Sequence, residues 1–453
     1  MANLFKEFDA VSAKAWKQKI QADLRGADYN QTLVWESLEG IKIAPFYHLD
    51  NLKQLPVKFE PRPYAICEHI RISDEKKVRD EAQKALVDGA NALLFSADKP
   101  FNASALLLDL PKEKNGKKIE LQFNLSFLNK DFFKSLIKQL MGYNYSLNID
   151  VIGRLAATGN WFENQEKDYK TVEDILKKAD KNANTLGVNA ALYQNAGANA
   201  VQQVAYALGH GNMYLDYFNT NAIQFQFAAG SNYFFEIAKL RAFRYLWSLL
   251  LKEYGFKPKT RLFVSPGTRN KTALDPYVNM LRTTSECMSA VLGGADIIAN
   301  RPYDAFLNKA HDFGQRIANN QLLILIEESG FNPGNNFADG SYYLETLTTQ
   351  IAEKALELFN HIEDNGGFLK QLLSGTIQRK INESAAKEQQ LFDDEKLVLV
   401  GTNKYTKGAE IPDDFTSASA QNDKENRKTI IEPVIPKRLS EKVERELFLK
   451  MKQ

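Results

Sequence analysis

The chain has 453 residues, of which 44% are hydrophobic and 25% charged, the composition of an ordinary globular protein. A net charge of +2 excludes a broad basic footprint for nucleic acid, and no apolar run reaches the length of a membrane span. Cys67 and Cys287, the two cysteines, lie far apart and form no CxxC pair, which argues against a disulfide framework or a cysteine metal motif.

The opening "MANLFKEFDAVSAKAWKQKI" is amphipathic and carries acids, unlike the apolar core of a signal peptide, so a cytoplasmic protein is expected. Residues 1–60 read as an arm: a helix over about 9–24, then short extended pieces in "YNQTLVWESLEGIKIAPFYHLDNL". Phe5, Phe8, Trp16 and Trp35 are costly to leave in water, so they either fold back on the body or cover a partner. From about 64 to 300, short apolar strands alternate with helices. The strand candidates are "AICEHIRI", "NALLFS", "KIELQFNL", "SLNIDVI", "LGVNAA", "IQFQF", "TRLFVS" and "GADIIAN". Helices are predicted at 130–141, 171–183, 199–209, 230–253 and 276–292. Asp74 caps a further helix that ends at Gly89, and Thr171 with Asp174 reads as a capping-box start. Asp275-Pro276 places an N-cap before a first-turn proline, and Gly293-Gly294 ends that helix. Asn115-Gly116 in "KEKNGKK" marks a hairpin turn.

Eight strands with helical crossovers predict an α/β fold, a (β/α)8 TIM barrel with an N-terminal extended arm and a C-terminal helical extension. A doubly wound open sheet is the alternative, disfavoured by the number of units and by the lack of a GxGxxG turn. Residues 303–390 read as nearly continuous helix, broken near "NPGNNFADG" and "NGG". "KLVLVGTNKY" reads as one more strand, and 403–453 as a polar tail ending in the helix "LSEKVERELFLKM". The expected organisation is thus an arm over 1–60 for subunit contacts, a barrel over 61–402 and a tail over 403–453.

Catalytic motifs are scarce. No pair of the five histidines has zincin spacing, and no phosphate loop is present. His210, between two glycines, reads as a cap at a helix end, and His311 lies near a helix start. "GHGNMY" lacks the third glycine of a dinucleotide turn, and the "DFG" at 312–314 lacks every companion kinase motif. Arg282, Glu286, Arg316, Asn320 and Glu328 fall on helices with apolar opposite faces, a pattern that suits structural networks. The stretch "GVNAALYQNAGANAVQQVAYALGHG" runs from strand to loop to helix, where α/β proteins place their chemistry. Yet Asn189, Leu192, Tyr193, Gln194 and Asn195 include no general base near neutral pH.

"RTTSECMSAVLGGADIIANRPYDAF", "DFGQRIANNQLLILIEESGF", "ADGSYYLETLTTQIAEKA", "IEDNGGF", "YQNAGANAVQQVAYAL" and "EIAKLRAFRYLW" together resemble the adenosylcobalamin-dependent methylmalonyl-CoA mutase family. The likeness runs in order from about 5 to 440 and implies a (β/α)8 barrel. Several departures accompany it. Catalytic chains of the family read approximately Tyr-His-Met-Gln-Glu before "AGA", and the Tyr and His positions here hold Ala191 and Leu192. Where those chains have Arg-Pro-Trp-Thr-Ile-Arg-Gln, this one has "RPYAICE", with Cys67 at the second Arg. A His-Thr-Gln of the family is missing from "FVSPGTRN" at 263–270. The family's cobalt-ligating Asp-x-His-x-x-Gly is absent too, because Phe46, Cys67, Leu208, Lys309 and Phe359 stand two places before the histidines. The roughly 50 residues after the barrel are too few for a further α/β domain.

The resemblance therefore implies a non-catalytic small (β) subunit, in a short form without a cobalamin domain. It would bind no cofactor and no metal itself and would form a heterodimer with the large catalytic subunit. Adenosylcobalamin and the interconversion of methylmalonyl-CoA and succinyl-CoA would sit on that partner. Phe5, Phe8, Trp16 and Trp35 are the candidate partner interface. Two alternatives remain: a catalytic barrel of another acyl-CoA mutase whose cobalamin domain is a separate chain, and a solitary binding protein with a CoA-sized bore.

Overall fold

The computed structural model describes residues 7–52, 64–305, 311–331, 336–406 and 428–451. Eight parallel strands close into a barrel: β1 (Ala65–Arg71), β2 (Ala92–Ala97), β3 (Glu120–Leu125), β4 (Asn144–Ile149), β5 (Asn184–Asn189), β6 (Ile223–Ala229), β7 (Leu262–Pro266) and β8 (Ile297–Ile298). Each pairs with its successor, and β8 returns to β1 through Ile297↔Ala65 and Ile298↔Ile66. All eight coincide with segments whose sequence reads as strand. The fold is the (β/α)8 barrel.

The strand alternation explains why these segments close. Ile66, Leu93, Phe95, Leu121, Phe123, Leu186, Val188, Phe225, Phe227 and Val264 all belong to one large buried cluster shared with the surrounding helices. Residues of opposite parity point into the bore. No helix among the described residues is long and apolar enough to cross a membrane.

The helices begin mostly where a short polar side chain caps them. α1 (Ala13–Asp23) starts at Ser12 and α2 (Glu75–Val87) at Asp74, which accepts from Lys77 N. α3 (Lys130–Gln139) follows Asn129, and α4 (Val151–Thr158) follows Asp150. α5 (Gln165–Leu176) starts earlier than its predicted Thr171–Asp174 box. Asn164 caps Lys167 N and acids fill the first turn, while Asp174 lies on the helix body and pairs with Lys130.

After the short α6 (Ala191–Asn195), α7 (Ala200–Phe218) opens on a capping box of Asn199 and Gln202. α8 (Tyr233–Glu253) starts at Asn232. α9 (Pro276–Leu292) has Asp275 at its N-cap and proline in its first turn, but the Asp275 side chain makes no cap hydrogen bond. Then come α10 (Asp312–Glu327), α11 (Tyr342–Asp364), α12 (Gly367–Leu373), α13 (Thr376–Asp393) and α14 (Glu441–Met451). Asn115 and Gly116, both at positive φ, turn a small antiparallel hairpin.

Two sequence expectations are corrected here. "KLVLVGTNKY" forms a turn around Gly401 with one isolated bridge, Val400↔Lys404. Asn403 locks that turn by accepting from Leu399 N and donating to the Phe392 and Leu397 carbonyls. His210 does not cap a helix end but lies within α7. Its neighbour Gly211 is there for space: a Cβ would stand 2.8 Å from the Phe225 ring and 2.9 Å from Trp247.

Glu68 lies between β1 and α10, where Asn319 Nδ2 donates to its carboxylate. Burial, with smaller contributions from Asp88 and Glu81, pushes its carboxyl up to about 7 against the help of Asn319 and Lys84. The folded value exceeds the unfolded one, so stability present below pH 4.5 is lost as pH rises towards 7. Glu68→Gln is expected to stabilise the chain by about 1–2 kcal/mol at pH 8 and by nothing at pH 4. Urea unfolding at the two pH values measures the difference.

Candidate functional site

Barrel strands of this kind present their chemistry at their C-terminal ends. The bore beneath those ends is filled. On one side Cys67, Ala92, Leu94, Phe263, Ile297 and Ala299 form a compact apolar cluster. On the other, amides bond one another across the axis. Gln224 Nε2 donates to Gln122 Oε1 at 2.6 Å and to Asn148 Oδ1 at 2.9 Å, while Ser146 Oγ donates to Gln224 Oε1 at 3.1 Å. Asn148 Nδ2 completes the ring on Gln122 Oε1, and Asn184 Nδ2 donates to Ser146 Oγ. A register irregularity in the β4–β5 pairing and a left-handed Asn148 backbone (φ 47°) accompany this placement. Cys67 is buried within the apolar half, and burial, then Glu120 and Glu68, push its thiol well up. It is not a thiolate nucleophile.

Above this floor, a cavity of about 350 Å³ opens over the ends of β3 to β6, lined by Asn124, Asn148, Asp150, Arg154, Asn189 and Gln226 among others. Asp150 is its carboxylate, and four groups hold it. Gly153 N (2.7 Å), Tyr214 OH (2.7 Å) and His210 Nε2 (2.9 Å) reach Oδ1, and Asn189 N (2.8 Å) reaches Oδ2. Burial opposes its ionisation, but His210, Tyr214 and the Asn189 N–H outweigh burial and hold the carboxyl below its usual range. Behind it, Tyr193 OH lies 2.9 Å from His210 Nδ1, and the imidazole stacks on Phe368. Burial raises both tyrosine phenols well above their ordinary value, so they stay protonated. Three donors converge on Oδ1 and the Asn189 N–H on Oδ2, so this constellation positions the backbone of the corner.

The predicted corner is where β5 passes into α6. Ala191 is half-buried, and Leu192 is buried in the main core. Gly197 completes the corner at φ 105°, where a Cβ would stand 2.4 Å from that of Ala385, so the turn needs a glycine on two counts. The loop after β7 is similarly committed. Lys271 Nζ bonds both oxygens of Glu286 at 2.7 and 2.8 Å, and Asn270 Nδ2 bonds Oε1 at 2.7 Å. The partner of Glu286 is therefore a loop lysine, while Arg282 binds Asn279 Oδ1 and the Val400 carbonyl.

The C-terminal segment straps this face. Ile430 N and Val434 N donate to Gly159 O and Ala156 O at the end of α4, Lys437 N to Asn195 O, and Leu439 N to Arg269 O. Arg438 forks onto Glu444 at 2.9 and 2.7 Å, and Glu444 Oε1 accepts from Ala273 N at 2.8 Å. The corner and the loop after β7 are thereby fastened to one another.

On the arm, Phe8, Trp16 and Trp35 are 74%, 50% and 53% exposed, and Phe5 lies outside the described residues. The arm's second half is anchored: Ala200 N donates to Glu39 Oε1 at 3.1 Å, and Ile41 is buried. Trp35 meets Phe235 edge-on, and Trp16 meets Phe46, each with ring centres 6.1 Å apart.

Sequence reasoning did not find the bore amides, Asp150, or the His210–Tyr193–Tyr214 network. The polar alternation in "LQFNL" and "IQFQF" was the available signal for the first. His210 and Asp150 had none, being 60 residues apart in the chain.

The fold and face describe a (β/α)8 barrel whose β5–α6 corner is occupied by core side chains and by groups that hold backbone. The methylmalonyl-CoA mutase family profile matches residues 137–451. The methylmalonyl-CoA mutase small subunit of Porphyromonas gingivalis is 33% identical over 93% of this chain and 74% of its own length. The methylmalonyl-CoA mutase of Cereibacter sphaeroides is 28% identical over 88% of this chain and 65% of its own length, and that of Rhizobium meliloti 34% identical over 59% and 40%. The chain belongs to the methylmalonyl-CoA mutase family and is homologous to its small subunit.

Two measurements probe this face. Gln224→Leu removes three bonds, leaving Asn148 Oδ1 without its donor and the Ser146 hydroxyl without its acceptor, and is expected to cost about 2–4 kcal/mol in urea unfolding. Leu192→His places an imidazole in the core. It is expected to lower stability by about 1–3 kcal/mol and to produce no mutase turnover, because catalytic groups act as a unit. Turnover assayed with a separately supplied cobalamin domain checks the second half.

Proposed function

We propose that this chain is a non-catalytic small subunit of an adenosylcobalamin-dependent methylmalonyl-CoA mutase, working in the cytoplasm as a heterodimer with a large catalytic subunit. The observation that carries this reading is the filled corner. Leu192 packs into the core, and Asp150 at the end of β4 is held by Gly153, Tyr214, His210 and Asn189. Catalytic relatives are expected to hold a Tyr–His pair there.

The cofactor is assigned to the partner. Four of the five histidines are engaged elsewhere: His48 and His311 cap backbone N–H groups, His69 bonds Ser96, and His210 is sealed against Asp150, while the exposed His361 in the last turn of α11 has Phe359 two places before it instead of the family's Asp. Among the described residues, no three His, Cys, Asp or Glu side chains group as a metal site. The chain would instead brace its partner. The exposed Phe8, Trp16 and Trp35 support an interface along the arm, since fully burying such side chains contributes about 1.5–3 kcal/mol each. Phe5 is included in the same proposal.

Removal of residues 1–34 tests it, because the packed segment from Trp35 onward is retained. Copurification with a longer homologue carrying the Asp-x-His-x-x-Gly motif should be lost, while the melting temperature of the isolated chain falls by about 5 °C or less. Undiminished copurification of the truncated chain would show the arm to be internal packing.

A further inference from the structure

The strand register places a cation at the mouth of the barrel. Ile297 lies against Ala65 across the β8–β1 pair, and Cys67 and Ala299 both face the bore. Two residues further along each chain, His69 and Arg301 come to the same level above the apolar half of the floor. Arg301 is half-buried. Its Nε donates to Pro266 O at the end of β7 at 3.0 Å, and among the described residues its other guanidinium nitrogens have no protein partner.

The surrounding charges do not neutralise it. The field of Glu286 reaches Arg301, but both Glu286 oxygens are held by Lys271, and one also by Asn270. Arg71 is paired with Asp98. His69 bonds Ser96 Oγ through Nε2 at 2.8 Å. Solvent reaches its edge, yet the protein mass around the concave mouth, then Arg301 and Arg71, push its imidazole down to about 4, so it is neutral at pH 7. Across the mouth, Asn124 and Gln226 bond each other. The mouth thus presents the guanidinium edge of Arg301 beside neutral His69, Asn124 and Gln226, with Asp150 and Arg154 on the β4 side, over a floor closed by Gln122, Ser146, Asn148 and Gln224.

We propose that the mouth of the barrel binds a small carboxylate anion on the free edge of Arg301, and that the closed floor restricts the ligand to a molecule contained in the mouth. A guanidinium anchored through Nε offers its two remaining nitrogens as a planar fork, the geometry that matches a carboxylate. The fork meets both oxygens of a carboxylate group, whereas phosphate keeps further charged oxygens that the fork does not reach. A thioester arm gains nothing, because no bore is open to receive it. The proposal is independent of the subunit reading: it concerns binding by this chain alone and requires no catalytic group.

Isothermal titration of the full chain at pH 7 and low salt, with malonate, acetate, inorganic phosphate and malonyl-pantetheine as probes, tests it. Malonate and acetate should bind saturably at one site, phosphate at least about tenfold more weakly, and the pantetheine thioester no more tightly than malonate. Arg301→Gln should weaken malonate by at least about tenfold, and Arg301→Lys, which keeps the charge without the fork, by about three- to tenfold. Arg71→Gln should leave malonate affinity unchanged. Thermal melting establishes that each variant is folded. If Arg301→Gln does not fold, the comparison rests on Arg301→Lys, and unchanged malonate binding by that variant would overturn the proposal. So would the absence of saturable malonate binding by the wild-type chain, equal affinity in a folded Arg301→Gln, a preference for phosphate, or a tenfold gain from the pantetheine arm.

Discussion

Much of this structure depends on Gln224. Its amide ties together Gln122, Ser146 and Asn148, which come from two other strands of the barrel. Backbone ladders hold each strand only to its neighbours. The amides add bonds through the bore, from β6 across to β3 and β4, in surroundings where water cannot compete and each bond strengthens the others. The same bonds occupy the space a ligand would need along the axis. The floor of the mouth and the closure of the barrel are one arrangement.

The rim built on that floor has been given over to holding itself in place. Asp150 caps α4, anchors the start of the corner through Asn189 N and gathers His210 and Tyr214 from α7. Four groups fix the orientation of this carboxylate, three of them through one oxygen. The Lys271–Glu286 pair does the same for the loop after β7. Buried ion pairs of this kind return little net stability over a well-packed apolar alternative, but breaking one is costly. Their effect here is to select one loop conformation.

The two chain extensions behave differently. The C-terminal segment is integral to the body, with Arg438, Ser440 and Glu444 buried against the loop after β7. The N-terminal arm is anchored from Trp35 onward, while Phe8 and Trp16 present aromatic surface outward. A body stiffened at floor, corner and strap, with an arm offering aromatic surface, is consistent with the bracing role proposed for this chain.

The sequence by itself determined the eight strands, most of the helix starts and the apolar character of Ala191 and Leu192. These features follow from periodicity and from caps such as Asp74 and Asn199, which act within a few residues of where they occur. The start of α5 was misread because Asn164 outcompetes the later Thr171–Asp174 pattern, and "KLVLVG" failed as a strand for want of an edge to pair with. Only the tertiary structure decided that Gln122 would meet Gln224, 102 residues away, and that Glu444 would meet Ala273, 171 residues away. It likewise decided that a histidine between two glycines would be sealed against Asp150 rather than cap a helix. Local pattern sets which face of an element is apolar. Which polar side chains then find one another depends on how the barrel closes and where its tail crosses, and that geometry is a property of the whole chain.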